Sequence, residues 1–298
     1  MDSSAHSFIG GFEERIVPTV DGLAIYARDY APLQPVTGLP VICLHGLTRN
    51  SRDFEAVAPR IAALGRRVIA PDMRGRGKSS NDPDPAHYAA MVYAQDVTAL
   101  MDRLEVPRAV FVGTSMGGLI TMVVSTLAPD RIAASVLNDV GPKLSVEGLN
   151  RIAAYVGRTP VLADWEAAAA AIKSIAATAY PDRVDDREFW LTFARRTFRA
   201  LESGGVQADY DPHIALAFAE AADAPPADLT PLFQVLAAKP MLVVRGAISD
   251  LLSADTVNYM RSMKPDLHVA EAPNIGHAPQ LDEPEVWDAL VSFLARVP

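Results

Sequence analysis

Residues 110–118 read VFVGTSMGG, an apolar run that passes directly into the pattern Gly-x-Ser-x-Gly. This pattern is typical of a sharp, strained turn between a strand and a helix, which lifts the serine hydroxyl out of the backbone at the edge of a sheet. The bare pattern also occurs by accident, so its weight comes from the apolar run before it and the helical pattern after it. The stretch therefore predicts that Ser115 is a nucleophile at the end of a strand.

Working outward, short apolar runs alternate with helical patterns along most of the chain. The chain opens with a hairpin signal, Asp-Gly at 21–22, between two segments of alternating polarity. Continuous apolar runs follow near residues 40, 67, 109, 132, 240 and 268. Continuous apolar strands separated by helices are typical of a parallel sheet that is covered on both faces. We therefore predict an α/β fold whose sheet begins antiparallel and continues parallel.

The middle of the chain interrupts this alternation. Residues 141–238 contain helical periods and no convincing strand; in residues 187–201, for example, Trp190 leads an apolar stripe at helical spacing. We expect residues 141–238 to form an all-helical cap inserted after the sixth strand. Residues 1–140 and 239–298 then form the α/β core domain.

Composition excludes several classes of function. The 298 residues are 50% hydrophobic and 21% charged, which is ordinary for a globular protein, and the net charge of −9 argues against binding to a phosphate backbone. The single cysteine, Cys43, lies in an apolar run, so neither an internal disulfide nor a cysteine-based metal site is expected. The N-terminal stretch MDSSAHSFIGGFEER does not resemble a signal peptide, and no apolar run is long enough to span a membrane. These features predict a cytoplasmic protein that binds neither nucleic acid nor membrane; its oligomeric state is left open.

Partners for Ser115 follow later in the chain. His277 lies in the loop PNIGHAP (273–279), after the last predicted strand and therefore at the edge of the sheet where ligands bind. Asp250, in the loop after the penultimate strand, is our choice for the acid that orients His277. Asp139 also follows a strand and is the rival, with a structural role as its alternative. Asp255 fits better as an acid in the first turn of a helix.

The stretch LHGL (44–47) follows an early apolar strand and completes the expected site. An oxyanion must be met by two backbone N–H groups, one from the residue after the nucleophile, Met116, and one from this loop, which we assign to Leu47. His45 is expected to brace the loop. Arg49 either meets a substrate carboxylate or is solvated.

Motifs for phosphate, dinucleotide or metal binding are not convincing. Gly-Lys-Ser at 77–79 resembles the end of a phosphate-binding loop, but Asp72 stands where that loop needs glycine. No His-Glu-x-x-His occurs. We therefore predict no cofactor and no metal site.

Taken together, the motifs resemble those of the α/β-hydrolase fold family, in the group that carries a helical cap after the sixth strand; they are HG at 45–46, PDMRGRGKS at 71–79, GTSMGG at 113–118, SD at 249–250 and GH at 276–277. The resemblance implies a sheet of about eight mostly parallel strands and a Ser-His-Asp triad. Haloalkane dehalogenases and epoxide hydrolases of this family carry an aspartate nucleophile, where this chain has Ser115. Carbon–carbon hydrolases of meta-cleavage products typically have tryptophan after the catalytic histidine, where this chain has Ala278.

The predicted function is hydrolysis of a small, apolar carboxylic ester through an acyl-enzyme on Ser115. A lactonase or a diketone carbon–carbon hydrolase with the same triad is an alternative, and a ligand-binding sensor with a vestigial site is an alternative of another class. Substrate choice is expected to lie in the cap. Of its aromatic residues we select Trp190 as a substrate-binding candidate, although each of them also fits helix packing: Tyr155, Trp165, Trp190, Phe193 and Phe198.

Overall fold

The computed structural model describes residues 11–222 and 227–298, with the side chains of 220–222 left out. The first ten residues, which include most of the stretch used to predict that there is no signal peptide, lie outside the described residues. So does the short segment 223–226 of the predicted cap.

The strands in the described part of the chain are β1 (Glu13–Pro18), β2 (Ala24–Tyr30), β3 (Val41–Leu44), β4 (Val68–Pro71), β5 (Ala109–Thr114), β6 (Ile132–Asn138), β7 (Phe198–Ala200), β8 (Val206–Ala208), β9 (Met241–Gly246) and β10 (His268–Ala272). The α-helices are α1 (Val57–Ala62), α2 (Ala90–Arg103), α3 (Met116–Leu127), α4 (Val146–Ala153), α5 (Trp165–Ala176), α6 (Arg187–Thr197), α7 (Ile214–Ala222), α8 (Thr230–Leu236), α9 (Ala254–Met263) and α10 (Pro284–Leu294).

Eight strands form one sheet in the order β1-β2-β4-β3-β5-β6-β9-β10. β2 pairs antiparallel with β1 and with β4, and the other neighbours pair parallel. The predicted eight-stranded, mostly parallel sheet is thus confirmed. Every residue of β3, β4, β6 and β9 is buried, as expected for strands covered on both faces.

Two apolar clusters cover the faces of this sheet. One contains residues of α2, α3, α8 and α9, and the other contains residues of α1 and α10. Each fully buried aliphatic side chain stabilises such a core by roughly 1.5–3 kcal/mol. The rigid sheet thereby fixes the positions of the loops at its carboxyl edge.

The segment between β6 and β9 is mostly helical and carries a third apolar cluster of its own. The prediction that it is entirely helical misses one hairpin, in which β7 and β8 pair antiparallel. The connecting turn uses Gly204 and Gly205 at φ 91° and 81°, where a residue with a Cβ would be strained. Gly-Gly was the available turn signal in the sequence. At the end of this segment, α8 packs against α3. Its residues Phe233 and Leu236 are buried in the apolar cluster that contains residues of α2, α3 and α9.

Candidate active site

Ser115 lies between β5 and α3 in a strained backbone conformation, with φ 52° and ψ −114°. A Cβ on Gly113 would lie 2.4 Å from the carbonyl oxygen of Gly117, and a Cβ on Gly117 would lie 2.1 Å from the carbonyl oxygen of Leu44. Real Cβ atoms do not approach that closely, so both positions require glycine. The turn predicted from the sequence is present, and it sets the Ser115 hydroxyl at the start of a helix.

His277 follows β10 and bridges two side chains. Its Nε2 lies 2.9 Å from Ser115 Oγ, and its Nδ1 lies 2.8 Å from Asp139 Oδ2. Because an ionised carboxylate can only accept, Nδ1 carries the proton and Nε2 is left to accept from the serine hydroxyl. Hydrogen bonds therefore connect Asp139 through His277 to Ser115.

Asp139 is fully buried and held at φ 55° directly after β6. Besides His277, the N–H of Gly246 donates to its Oδ1 at 2.8 Å, and the hydroxyl of Ser249 donates to its Oδ2 at 2.5 Å. Three donors satisfy a carboxylate that would otherwise be costly to bury. The structural role considered for Asp139 is thus real, and the same carboxylate also orients His277.

The choice of Asp250 as the partner of His277 is contradicted by this geometry. Asp250 lies in the loop after β9, as expected, but its carboxylate forms a bidentate pair with Arg151 of α4, with Arg151 Nη2 2.9 Å from Oδ1. Burial acts to raise the pKa of the Asp250 carboxyl, but the hydrogen bond and charge of Arg151 prevail and hold that pKa below its usual range. Chain order and a strand-end position describe both aspartates equally well, and the side-chain partners distinguish them.

His45 braces the loop after β3, as expected. The N–H of Met73 donates to its Nε2 at 3.0 Å, so the ring proton is on Nδ1, which donates to the carbonyl oxygen of Gly46 at 2.8 Å. Burial lowers the pKa of His45 to about 4, so the ring is neutral at neutral pH. In a trans peptide the N–H points opposite to the C=O, so this bond also fixes the direction of the Leu47 N–H.

Of the predicted oxyanion donors, Met116 directly follows Ser115 in the chain, and Leu47 lines the same cavity as Ser115. Leu47 lines the cavity in front of the serine, and its carbonyl accepts from Arg76 Nε at 2.9 Å. Met116 is the first residue of α3, where a backbone N–H has no acceptor within the helix. A Cβ built on Gly46 would lie 3.8 Å from Ser115 Cβ, so the loop approaches the serine closely. Their role in binding an oxyanion stays a prediction.

A cavity of about 180 Å³ lies between Ser115 and His277 on one side and, on the other, the segment between β6 and β9, hereafter the inserted segment. Its apolar lining includes Leu47, Ile152, Tyr155, Ile172, Ile175, Phe193 and Phe198.

Trp190 is not among the residues that line this cavity. Its indole N–H donates to the carbonyl oxygen of Arg183 at 2.7 Å, and its ring packs edge-on against Phe189 at 5.0 Å between centroids. The choice of Trp190 as a substrate-binding residue is therefore contradicted, and the packing alternative holds. Phe193, three residues on along the same helix, faces the cavity instead.

Arg49 lines the cavity, and its guanidinium is held by neighbouring side chains. Its guanidinium pairs with Asp53, donates to the hydroxyl of Thr197 and lies 4.3 Å from the centroid of the Phe193 ring. It joins the core loop to the end of α6.

The polar residues of the cavity that were missed at the level of sequence include Arg151, Arg158 and Tyr210. The spacing of Arg151, Tyr155 and Arg158, at i, i+4 and i+7, would put these residues on one face of a helix, but α4 ends at Ala153 and Arg158 follows the left-handed Gly157. Helical spacing therefore gave no valid signal for Arg158.

Among the described residues, one group of side chains has the spacing of metal ligands: Asp21, Asp82 and His87. Arg74 already occupies it, with Nη1 at 2.8 Å from Asp21 and 2.5 Å from Asp82. A guanidinium therefore supplies the positive charge there. No helix in the described ranges has the length and hydropathy to cross a membrane.

Comparison with known proteins agrees with this architecture. Residues 40–284 match the sequence model of the α/β hydrolase fold. The crystal structure of an α/β hydrolase from Novosphingobium aromaticivorans is similar, with 44% identity and a TM-score of 0.88 over 96% of this chain and 99% of that one.

Two relatives have named activities. A 3-hydroxybutyrate-oligomer hydrolase of Cupriavidus necator is 35% identical over 257 residues, which cover 84% of this chain and 86% of the relative. A 2-(acetamidomethylene)succinate hydrolase of Mesorhizobium japonicum is 28% identical over 260 residues, which cover 87% and 88% respectively.

Proposed function

The chain belongs to the α/β hydrolase fold family and is a hydrolase, and we propose that it is a serine esterase acting on a small carboxylic ester. The observation that carries the proposal is the pair of contacts from His277, to Ser115 Oγ at 2.9 Å and to Asp139 Oδ2 at 2.8 Å. A serine so connected attacks an acyl carbon.

The proposed reaction has two halves. Ser115 Oγ attacks the ester carbonyl while His277 Nε2 takes the hydroxyl proton, and the N–H groups of Leu47 and Met116 receive the oxyanion. His277 then gives that proton to the departing alcohol, which leaves an acyl-enzyme. Water attacks the acyl-enzyme in the same way and releases the acid. Asp139 stabilises the imidazolium in both halves and keeps its tautomer.

Two observations support an ester of small size. The Cupriavidus necator relative is named for oligomers of 3-hydroxybutyrate, whose units are joined by ester bonds. The cavity of about 180 Å³ is smaller than the roughly 300–1,000 Å³ of pockets for drug-sized ligands. We therefore place the substrate among short hydroxyacid esters and other esters of similar size.

A fluorophosphonate probe tests the nucleophile. We expect it to label the protein at Ser115 alone, and Ser115→Ala to lose both labelling and hydrolysis of p-nitrophenyl acetate, with kcat lower by on the order of 10⁶. Ser174→Ala is the matched control, because Ser174 is an exposed serine of the inserted segment whose hydroxyl bonds its own helix.

Substrate class is tested with short linear esters, lactones and vinylogous diketones, assayed side by side on the wild-type protein. A Ser115→Ala variant that keeps a tenth of the wild-type rate would contradict the assignment. Turnover of diketones or lactones with none of linear esters would replace the ester by those bonds. Labelling of Ser115 with no turnover of any of these three substrate classes would favour a sensor.

A further inference from the structure

The cavity beside the triad is rich in arginine although the chain as a whole is acidic. Its lining contains one carboxylate, Asp53, and four arginines: Arg49, Arg151, Arg158 and Arg196. The chain carries a net charge of −9, so the excess of positive residues in the cavity lining is opposite in sign to the charge of the whole protein. Such an excess attracts anionic ligands into the cavity.

Two of these arginines are engaged by the protein. Arg49 is neutralised within the cavity wall by Asp53. Arg196 pairs with Glu55 at 2.9 Å and donates to Gln280 at 3.0 Å. Their guanidinium groups tie the inserted segment to the core.

Arg151 is only partly engaged. It uses Nε and Nη2 for Asp250, which lies outside the cavity lining. A guanidinium has five N–H donors, so its Nη1 group retains donors that Asp250 does not use. Arg151 therefore keeps unused N–H donors at the cavity wall, while its charge is paired with that of Asp250.

Arg158 is exposed, and its guanidinium makes no ion pair with any described side chain. Its backbone is nevertheless fixed. Gly157 takes a left-handed φ of 82° and donates its N–H to the hydroxyl of Tyr210 at 3.1 Å. Tyr210 in turn forms an isolated antiparallel β-bridge with Arg76. The side chain of Arg76 donates a hydrogen bond to the carbonyl oxygen of Leu47. A short chain of contacts thus fixes the backbone just before Arg158 relative to the loop that carries Leu47.

We infer that Arg158 binds a free carboxylate on the substrate, so that the preferred substrate is a short ester with one acid group. This inference rests on the proposed esterase function. The apolar lining between the two ends accommodates the short carbon chain, and the triad receives the ester carbonyl. An arginine is suited to a carboxylate because its planar fork donates two parallel hydrogen bonds. This inference differs from the apolar substrate predicted from the sequence, because it adds a charged group at one end.

A matched pair of substrates tests this. 3-Acetoxybutanoate and 3-acetoxybutanamide present the same acetyl ester and differ in the charge at the far end. We expect wild-type kcat/KM to be about 10- to 100-fold higher for the carboxylate, as hydrogen bonds to a charged group allow. Arg158→Gln should remove most of that preference by lowering kcat/KM for the carboxylate far more than for the amide or p-nitrophenyl acetate, and Arg158→Lys should restore part of the preference. Arg187→Gln, which changes an exposed arginine of the inserted segment outside the cavity lining, should keep the wild-type preference.

Binding to the Ser115→Ala protein separates this inference from the esterase proposal. Calorimetry should give a Kd for 3-acetoxybutanoate about 10- to 100-fold below that for the amide, and Arg158→Gln in the same background should abolish the difference. If the wild-type protein hydrolyses both substrates equally well, the esterase proposal stands and the carboxylate site is overturned. If no ester is cleaved but the binding difference follows Arg158, the site stands and the esterase proposal fails. An equal loss on both substrates in Arg158→Gln would overturn the role of Arg158.

Discussion

Two aspartates follow neighbouring strands of the same sheet, Asp139 after β6 and Asp250 after β9, and they have different surroundings. Asp139 is fully buried and meets three donors from the core, including His277 Nδ1. Asp250 is partly exposed and pairs with Arg151 from the inserted segment. A position at the end of a strand therefore brings an aspartate close to the candidate active site. The groups packed around its carboxylate then determine whether it binds His277 or another side chain.

Ser249 shows how the two loops are connected. Its hydroxyl donates to Asp139 Oδ2 and also accepts from the N–H groups of Leu251 and Leu252. Ser249, the residue before Asp250, thus contacts Asp139, whereas Asp250 itself contacts Arg151 of α4. The comparison predicts that the two aspartates act on different properties of the protein.

The largest effect is expected from Asp139→Asn. The amide keeps the shape of the carboxylate but favours the wrong tautomer of His277, so kcat should fall by roughly 10⁴ with p-nitrophenyl acetate as substrate. Thermal unfolding of the same sample provides the check that the variant is folded. A folded Asp139→Asn protein with near wild-type kcat would break the comparison.

A smaller effect is expected from Asp250→Asn. Removing one charge of a partly exposed ion pair should lower the free energy of unfolding by about 0.5–1 kcal/mol and Tm by about 2 °C. The kcat should stay in the same order of magnitude as the wild type, because His277 keeps its contact with Asp139. Loss of activity in Asp250→Asn without any loss in Asp139→Asn would return the acid to Asp250.

The smallest effect is the pH dependence of the Asp250–Arg151 pair. The pKa of Asp250 is lowered from its ordinary value of 3.8, so the stabilisation is fully present above that value and is lost as pH falls through the folded-state pKa. The difference in Tm between wild type and Asp250→Asn should stay constant from pH 8 to 5 and shrink below about pH 4. A difference that already shrinks between pH 7 and 5 would mean that another group controls this contact.

Much of the core domain was predictable because two structural requirements, burial of the strands and close backbone contact at the turn, restrict which residues can stand at given positions. Strands buried on both faces must be continuously apolar, and the turn at Ser115 needs glycine where a Cβ would strike backbone. His277 followed from its place after the last strand. These constraints are local in sequence, so one chain is enough to read them.

The remaining features depend on contacts between distant residues. The choice between Asp139 and Asp250 depends on Arg151, which lies about a hundred residues from Asp250. Trp190 was misassigned because a helical stripe shows which residues share a face but not which part of the protein that face contacts. In the structure Trp190 packs against Phe189 and Tyr180, while Phe193 faces the cavity. The hairpin of β7 and β8 has strands of three residues, too short for a period of two to stand out.

Gly117 has a consequence for redesign of the site. The backbone of α3 touches the carbonyl of Leu44 at this position, so the first turn of the helix and the loop that leads to Leu47 are in direct contact. Even a single methyl group there would push the two segments apart, and with them the Leu47 and Met116 amides. Directed evolution toward new substrates is therefore expected to leave residue 117 unchanged and to accumulate its substitutions in the wall of the cavity opposite, where side chains can change size without moving backbone.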